Sequence, residues 1–100
     1  MIKIIKVTGN SLSPFFFPGD YVITYLTPWT IKKLQSGDTI VFNHLDLGTL
    51  IKKITSINFR QQWVTVSGTH PDSIDPELIG PVRFQDVIGK VIFHINNPRF

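Results

Sequence analysis

Cysteine is absent from this 100-residue chain, which excludes disulfides, thiolate metal sites and a cysteine nucleophile. Alanine is absent as well. A chain that lacks the best helix former, and in which Ile, Val and Thr supply almost a third of the residues, is expected to be mostly strand. Charge is scarce: Asp, Glu, Lys and Arg make up 17% of the residues against 42% hydrophobic. That balance excludes a disordered chain. No apolar stretch approaches the ~18 residues of a transmembrane helix. The opening Met1–Val7 is too short and too often interrupted by lysine for a signal peptide, and it reads as a first strand. With neither kind of segment evident, the expected location is the cytoplasm.

What is present fits one small domain spanning residues 1–100. The net charge of +3 permits nucleic acid or an anionic membrane surface as a partner without requiring either. Turn chemistry is densest at Thr8–Pro14 and at Gly68–Pro76. Two Gly-Asp pairs, Gly19-Asp20 and Gly37-Asp38, each open an apolar run, Tyr21–Leu26 and Thr39–Phe42. Further strands are predicted at Thr49–Ile57, Trp63–Ser67 and Asp86–Ile95, with helical turns at Pro14–Phe17 and Ile31–Gln35. Six short strands joined by Gly/Pro turns predict an all-β domain, an antiparallel sheet rolled or closed like a barrel to hide its edges.

Period-two alternation puts Leu50, Lys52 and Ile54 on one face of the fourth strand and Ile51, Lys53 and Ile57 on the other. Both faces are mostly apolar, and lysine is seldom buried without a partner. Either this is an edge strand whose lysines snorkel or block pairing, or one lysine is desolvated enough to act as a base beside a second that is ion-paired. Ser11 follows Gly9 and Asn10 in a tight loop and precedes Leu12-Ser13-Pro14. It reads locally as a turn former or helix cap, and becomes a nucleophile only with an unprotonated base beside it. His44, His70 and His94 are the conventional candidates for that base. His44 and His94 read as surface or strand residues, and His70 falls in the second turn cluster. No histidine sits in metal-ligand spacing, so no metal site is expected.

Taken together, these segments resemble the signal peptidase I family and its relatives, the Ser/Lys serine peptidases that include the LexA-like repressors. Val7–Pro14 looks like the nucleophile box, with Leu12 in place of Met, and Pro18–Val22 like the Gly-Asp turn after it. Gly37–Phe42 resembles the next box, Ile51–Ile54 the box carrying the general base, and Val66–Asp75 the closing box. Gly80–Val82 and Ile88–Val91 match its usual sequel, so the resemblance covers nearly the whole chain. By position it implies that Ser11 is the nucleophile, with its backbone N–H in the oxyanion hole, and that Lys52 is the general base. Ser73 would orient the Lys52 amine, and Lys53 would pair with Asp75. Gly9 and Asn10 would support the nucleophile loop, although Gly9 stands where some members place a hydroxyl donor to the oxyanion. The protein or peptide substrate would bind as an extended strand with small side chains at P1 and P3.

The closing box departs from the family pattern at Thr69-His70 and Pro76-Glu77, and Lys53 replaces an arginine. Neither a membrane anchor nor a large extra β domain is expected from these 100 residues. The chain therefore looks like a minimal catalytic core, similar to the nickel superoxide dismutase maturation proteases, which trim a leader from a cytoplasmic precursor. The expectation is a serine endopeptidase that removes a leader or propeptide. The rivals are a catalytically idle peptide-binding module of the same fold and a small basic barrel that binds single-stranded nucleic acid through Tyr21, Tyr25, Trp29, Phe59 and Trp63. Basic residues do not cluster beyond pairs, so nucleic acid is not the expected partner. Phe15-Phe16-Phe17 either plugs the fold or forms an exposed patch that meets substrate or a membrane surface.

Overall fold

The computed structural model describes residues 2–6, 19–46, 48–67 and 79–95. Among them, seven antiparallel strands form one sheet. The strands are β1 (Ile2–Lys6), β2 (Tyr21–Tyr25), β3 (Thr39–His44), β4 (Gly48–Asn58), β5 (Trp63–Ser67), β6 (Val82–Arg83) and β7 (Val87–Ile95). Their order across the sheet is β1-β2-β7-β3-β4-β5-β6. The all-β expectation holds, and the β-branched runs that motivated it are the strands themselves.

Barrel closure does not hold: the sheet is open. Closing it would require β6 to pair with β1 in a consistent stagger. β6 contributes only Val82 and Arg83, which pair with Val64 and Trp63, and two residues cannot carry a further ladder. Among the described residues β1 pairs with β2 alone. The helix α1 (Pro28–Lys32) starts three residues before the helical turn predicted at Ile31. The Thr27 hydroxyl accepts from the Thr30 N–H at 3.1 Å, the Thr30 hydroxyl accepts from the Thr27 N–H, and Pro28 occupies the first turn. That is a capping box with a proline whose missing N–H costs nothing there. The helical turn predicted at residues 14–17 lies outside the described residues.

The long strands change partners midway. β4 pairs with β3 through Lys53 and with β5 from Lys53 onward, while β7 pairs with β3 from Val87 to Lys90 and with β2 from Lys90 to Ile95. Alternation then sorts side chains into two layers. One face carries Ile40, Phe42, Ile54, Val64, Val66, Val82 and Val87, covered by Leu34 and Ile79 from the connections. The other carries Val22, Val41 and Ile51, with Ile5, Ile88 and Val91 against them. A register shift between Ile54 and Ser56 inserts one residue and reverses the parity of the rest of β4. Ile57 therefore packs with Ile54, not with Ile51 and Lys53 as strict alternation predicts.

One cross-strand row places the features that follow. Lys52 of β4 pairs with Ile40 of β3, Ile40 with Lys90 of β7, Lys90 with Tyr25 of β2, and Tyr25 with Ile2 of β1. Directly opposed residues point to the same side of a sheet. Lys52 at one end of this row is fully buried, and Ile2 at the other end is 63% exposed.

Candidate active site

Lys52 sits in the middle of the longest strand, between Leu50 and Ile54 on the face that holds the larger core. The backbone around it is clamped by the Gly37-Asp38 turn. Gly37 adopts φ +96°, a left-handed conformation that costs little without a Cβ. Its N–H donates to the Ile54 carbonyl at 2.8 Å, and the Ile54 N–H donates to the Asp38 carbonyl at 2.8 Å. The Asp38 carboxylate accepts from the Gln35 N–H at 2.9 Å, which closes the turn on itself. The second Gly-Asp pair of the sequence thus fixes β4 two residues beyond Lys52.

The Lys52 side chain has no exposed surface, and its Nζ has no hydrogen-bond partner among the described residues. An ammonium in that position loses its hydration and gains no partner among the described residues in return. Desolvation accordingly lowers its pKa below the ordinary lysine value. Lys90, its neighbour on the far side of Ile40, solves the same problem differently. It keeps 35% of its side chain exposed and places its ammonium 3.5 Å from Asp38. Of two lysines flanking one isoleucine, one has kept water and a carboxylate, and the other has neither among the described residues.

Lys53 lies on the opposite face from Lys52, half-buried, at the residue where β4 leaves β3 for β5. It pairs in register with both Thr39 and Ser67. Ser67, the last residue of β5, is the one that stands opposite Lys53. Gly9, Asn10, Ser11, Ser73 and Asp75 lie outside the described residues, as do His70 and Phe15-Phe16-Phe17. Of the predicted site, the structure describes Lys52 and Lys53 and sends them to different sides of the sheet.

His44 is committed to structure. Its Nδ1 accepts from the Asp46 N–H at 3.1 Å, which leaves Nε2 to donate to the Ile79 carbonyl at 3.2 Å. His94 is a strand residue of β7, as expected, but its partner was not read from the sequence. Its Nε2 lies 2.7 Å from the carboxylate of Asp20, which is completely buried. The two residues stand 74 positions apart, and only the pairing of Val22 with His94 brings them together. No local pattern signals such a contact. It pins the start of β2 to β7.

The arrangement around Lys52 can hold a neutral primary amine, shielded from water, on rigid backbone. Such an amine is a proton acceptor at a pH where an ordinary lysine is not. The chain matches no family model, no curated protein and no solved structure.

Proposed function

We propose that this protein is a serine endopeptidase in which Ser11 is the nucleophile and Lys52 the general base, and that it cuts a leader or propeptide from a protein substrate. The observation that carries the reading is the Lys52 amine, fully buried and without a hydrogen-bond partner among the described residues. A core assembled for stability alone would place an aliphatic side chain there. The resemblance of the surrounding segments to Ser/Lys peptidases supplies the nucleophile.

In this mechanism the neutral Lys52 amine removes the Ser11 hydroxyl proton as Oγ attacks the scissile carbonyl. The tetrahedral intermediate expels the amine of the departing segment, which takes the proton from the Lys52 ammonium. An acyl ester of Ser11 remains. Water then attacks the ester carbonyl while Lys52 accepts its proton, and that proton returns to Ser11 Oγ as the acid is released. Ser73 would hold the amine in line, and Lys53 paired with Asp75 would tie β4 to the closing loop. The chemistry needs neither metal nor cofactor.

A fluorophosphonate probe followed by peptide mapping tests this directly. Modification confined to Ser11, abolished in Ser11→Ala and in Lys52→Arg, is the expected result. A folded protein that never reacts at Ser11 at any pH up to about 10, where an ordinary lysine begins to deprotonate, would rule the dyad out and leave the peptide-binding module.

A further inference from the structure

Among the described residues, every exposed large apolar side chain except Leu45 and Phe59 belongs to β1, β2, β7 or α1. Register places most of them on one face. Ile4, Ile23 and Phe93 form one cross-strand row, and Tyr21 stands opposite Ile95 in another. Ile4 is 67% exposed and Phe93 61%. Isolated exposed hydrophobics are ordinary, but a contiguous sheet face of them marks an interaction surface.

The rim of this face is cationic. Lys6 stands opposite Tyr21 on the same side of the sheet. At the other end, a shallow pocket of about 280 Å³ lies between β2, α1 and β7, and it is lined by Tyr25, Trp29, Lys33, Lys90 and Ile92 with the capping threonines. Lys32 places its ammonium 5.4 Å from the centre of the Trp29 ring. Among the described residues Asp38 pairs with Lys90, and no carboxylate pairs with Lys6, Lys32 or Lys33. Asp20 is buried against His94, Asp38 is held by Lys90 and Gln35, Asp86 lines a different pocket with His44, and Asp46 donates its N–H to His44 Nδ1.

We infer that this face docks on an anionic phospholipid bilayer, with the aliphatic rows entering the headgroup boundary and a lipid phosphate taken by Lys33 at the mouth of that pocket. Charge selects this occupant. A second copy of the chain would set Lys6 and Lys33 against their own like charges. A nucleic acid would leave Ile4, Ile23, Phe93 and Ile95 facing water. A bilayer whose surface is negative and whose interior is apolar satisfies both parts of the face at once. The inference stands on the exposed face and does not depend on the peptidase reading.

The test is flotation with vesicles of phosphatidylglycerol in phosphatidylcholine against vesicles of phosphatidylcholine alone. A Trp63→Phe background lets Trp29 emission report docking. Binding is expected only with the anionic vesicles, with a blue shift of Trp29, and it should weaken as salt rises. Lys33→Gln and Lys6→Gln should each reduce binding about five-fold. Phe93→Thr should reduce it on the order of ten-fold while anionic vesicles are still preferred. Equal partition into both vesicle types, or none, would overturn the inference. So would a dimer in sedimentation velocity that Phe93→Thr dissolves, an oligonucleotide bound more tightly than the vesicles, or displacement from vesicles by millimolar glycerol 3-phosphate, which would make the pocket a site for a free phosphate ester.

Discussion

At the β3-β4-β5 end of one sheet face, Ile40, Phe42, Ile54 and Val66 are sealed from solvent, while at the β1-β2-β7 end Ile4, Phe93 and Ile95 stand in it. The same alternation of apolar residues runs through both ends. The first is covered by Leu34, Ile79 and the partly buried Leu26 and Ile31, and it has a lysine sealed inside it. The second has no cover among the described residues, and its lysines stand at the margin. Each end carries a feature that lowers the stability of an isolated domain, a buried amine in one and solvated isoleucines in the other. On the readings proposed above, the buried amine serves proton transfer inside the covered end, and the solvated face serves adhesion at the open one.

The largest expected effect falls on Lys52. Lys52→Arg preserves charge and comparable length but offers a guanidinium that stays protonated at any working pH. Cleavage of a precursor should fall by a factor on the order of a thousand or more, within the range of general-base contributions. In the parent protein, activity should rise with pH as Lys52 loses its proton, and the midpoint should lie below the ordinary lysine value because burial penalises the ammonium. Rates measured from pH 6 to 10 on both proteins check this. A limb that follows histidine titration, or an active arginine variant, would break the contrast between Lys52 and its paired neighbour Lys90.

Phe42→Ala comes next. Phe42 is fully buried in the larger core, and removing its ring should cost about 3–5 kcal/mol, which urea denaturation would read. A loss of that size is a large share of the stability of a domain this small.

The strands were largely legible before the structure. β5 matches its predicted span, and β4 and β7 differ from theirs by a residue or two, because alternating β-branched residues between turn signals leave little choice. The bulge in β4 was missed, although its signal is present: Thr55-Ser56 puts two polar residues in succession between Ile54 and Ile57 and breaks the period of two. β6 was missed because two residues show no periodicity. The helix start was misplaced by reading the apolar spacing around Ile31 ahead of the Thr27-Pro28 cap and first-turn pair. Barrel closure was overcalled because it depends on how strands at opposite ends of the chain register, which alternation does not encode. Lys52 was legible as a lysine between aliphatic neighbours. Its contrast with Lys90 was not, since only the shared pairing with Ile40 sets the two side by side.

A third substitution sharpens the covered end. Lys52→Met retains the length and removes the amine, so it should abolish cleavage and raise stability by about 1–3 kcal/mol. The gain should depend on pH with a definite sign. The folded-state pKa of Lys52 lies below its unfolded value, so between the two the unfolded chain binds the extra proton and the parent protein gains stability as pH rises. The advantage of Lys52→Met is therefore full below the lowered pKa and disappears as pH approaches about 10.4, the ordinary lysine value. Paired denaturant curves at pH 6, 8 and 10 check both size and direction. A methionine variant less stable than the parent at pH 6 would mean that the amine is satisfied in solution and is not held as a base.

The smallest expected change lies at the open end. Phe93→Thr exchanges one good strand former for another at a position 61% exposed, opposite Ile23. Without lipid its unfolding free energy should stay within about 0.5 kcal/mol of the parent, as for a surface site. That near-silence is informative only beside Phe42→Ala, because both rings lie on the same sheet face and differ chiefly in cover. Anionic vesicles should then separate the parent from the variant. A ligand that binds only the folded state stabilises it in proportion to the logarithm of its saturation, so the parent should gain thermal stability on vesicle addition and Phe93→Thr should gain less. If Phe93→Thr instead costs as much as Phe42→Ala with no lipid present, the β1-β2-β7 face is covered in solution. The two ends of the sheet would then be two parts of one core, and Phe93 could not be what meets the bilayer.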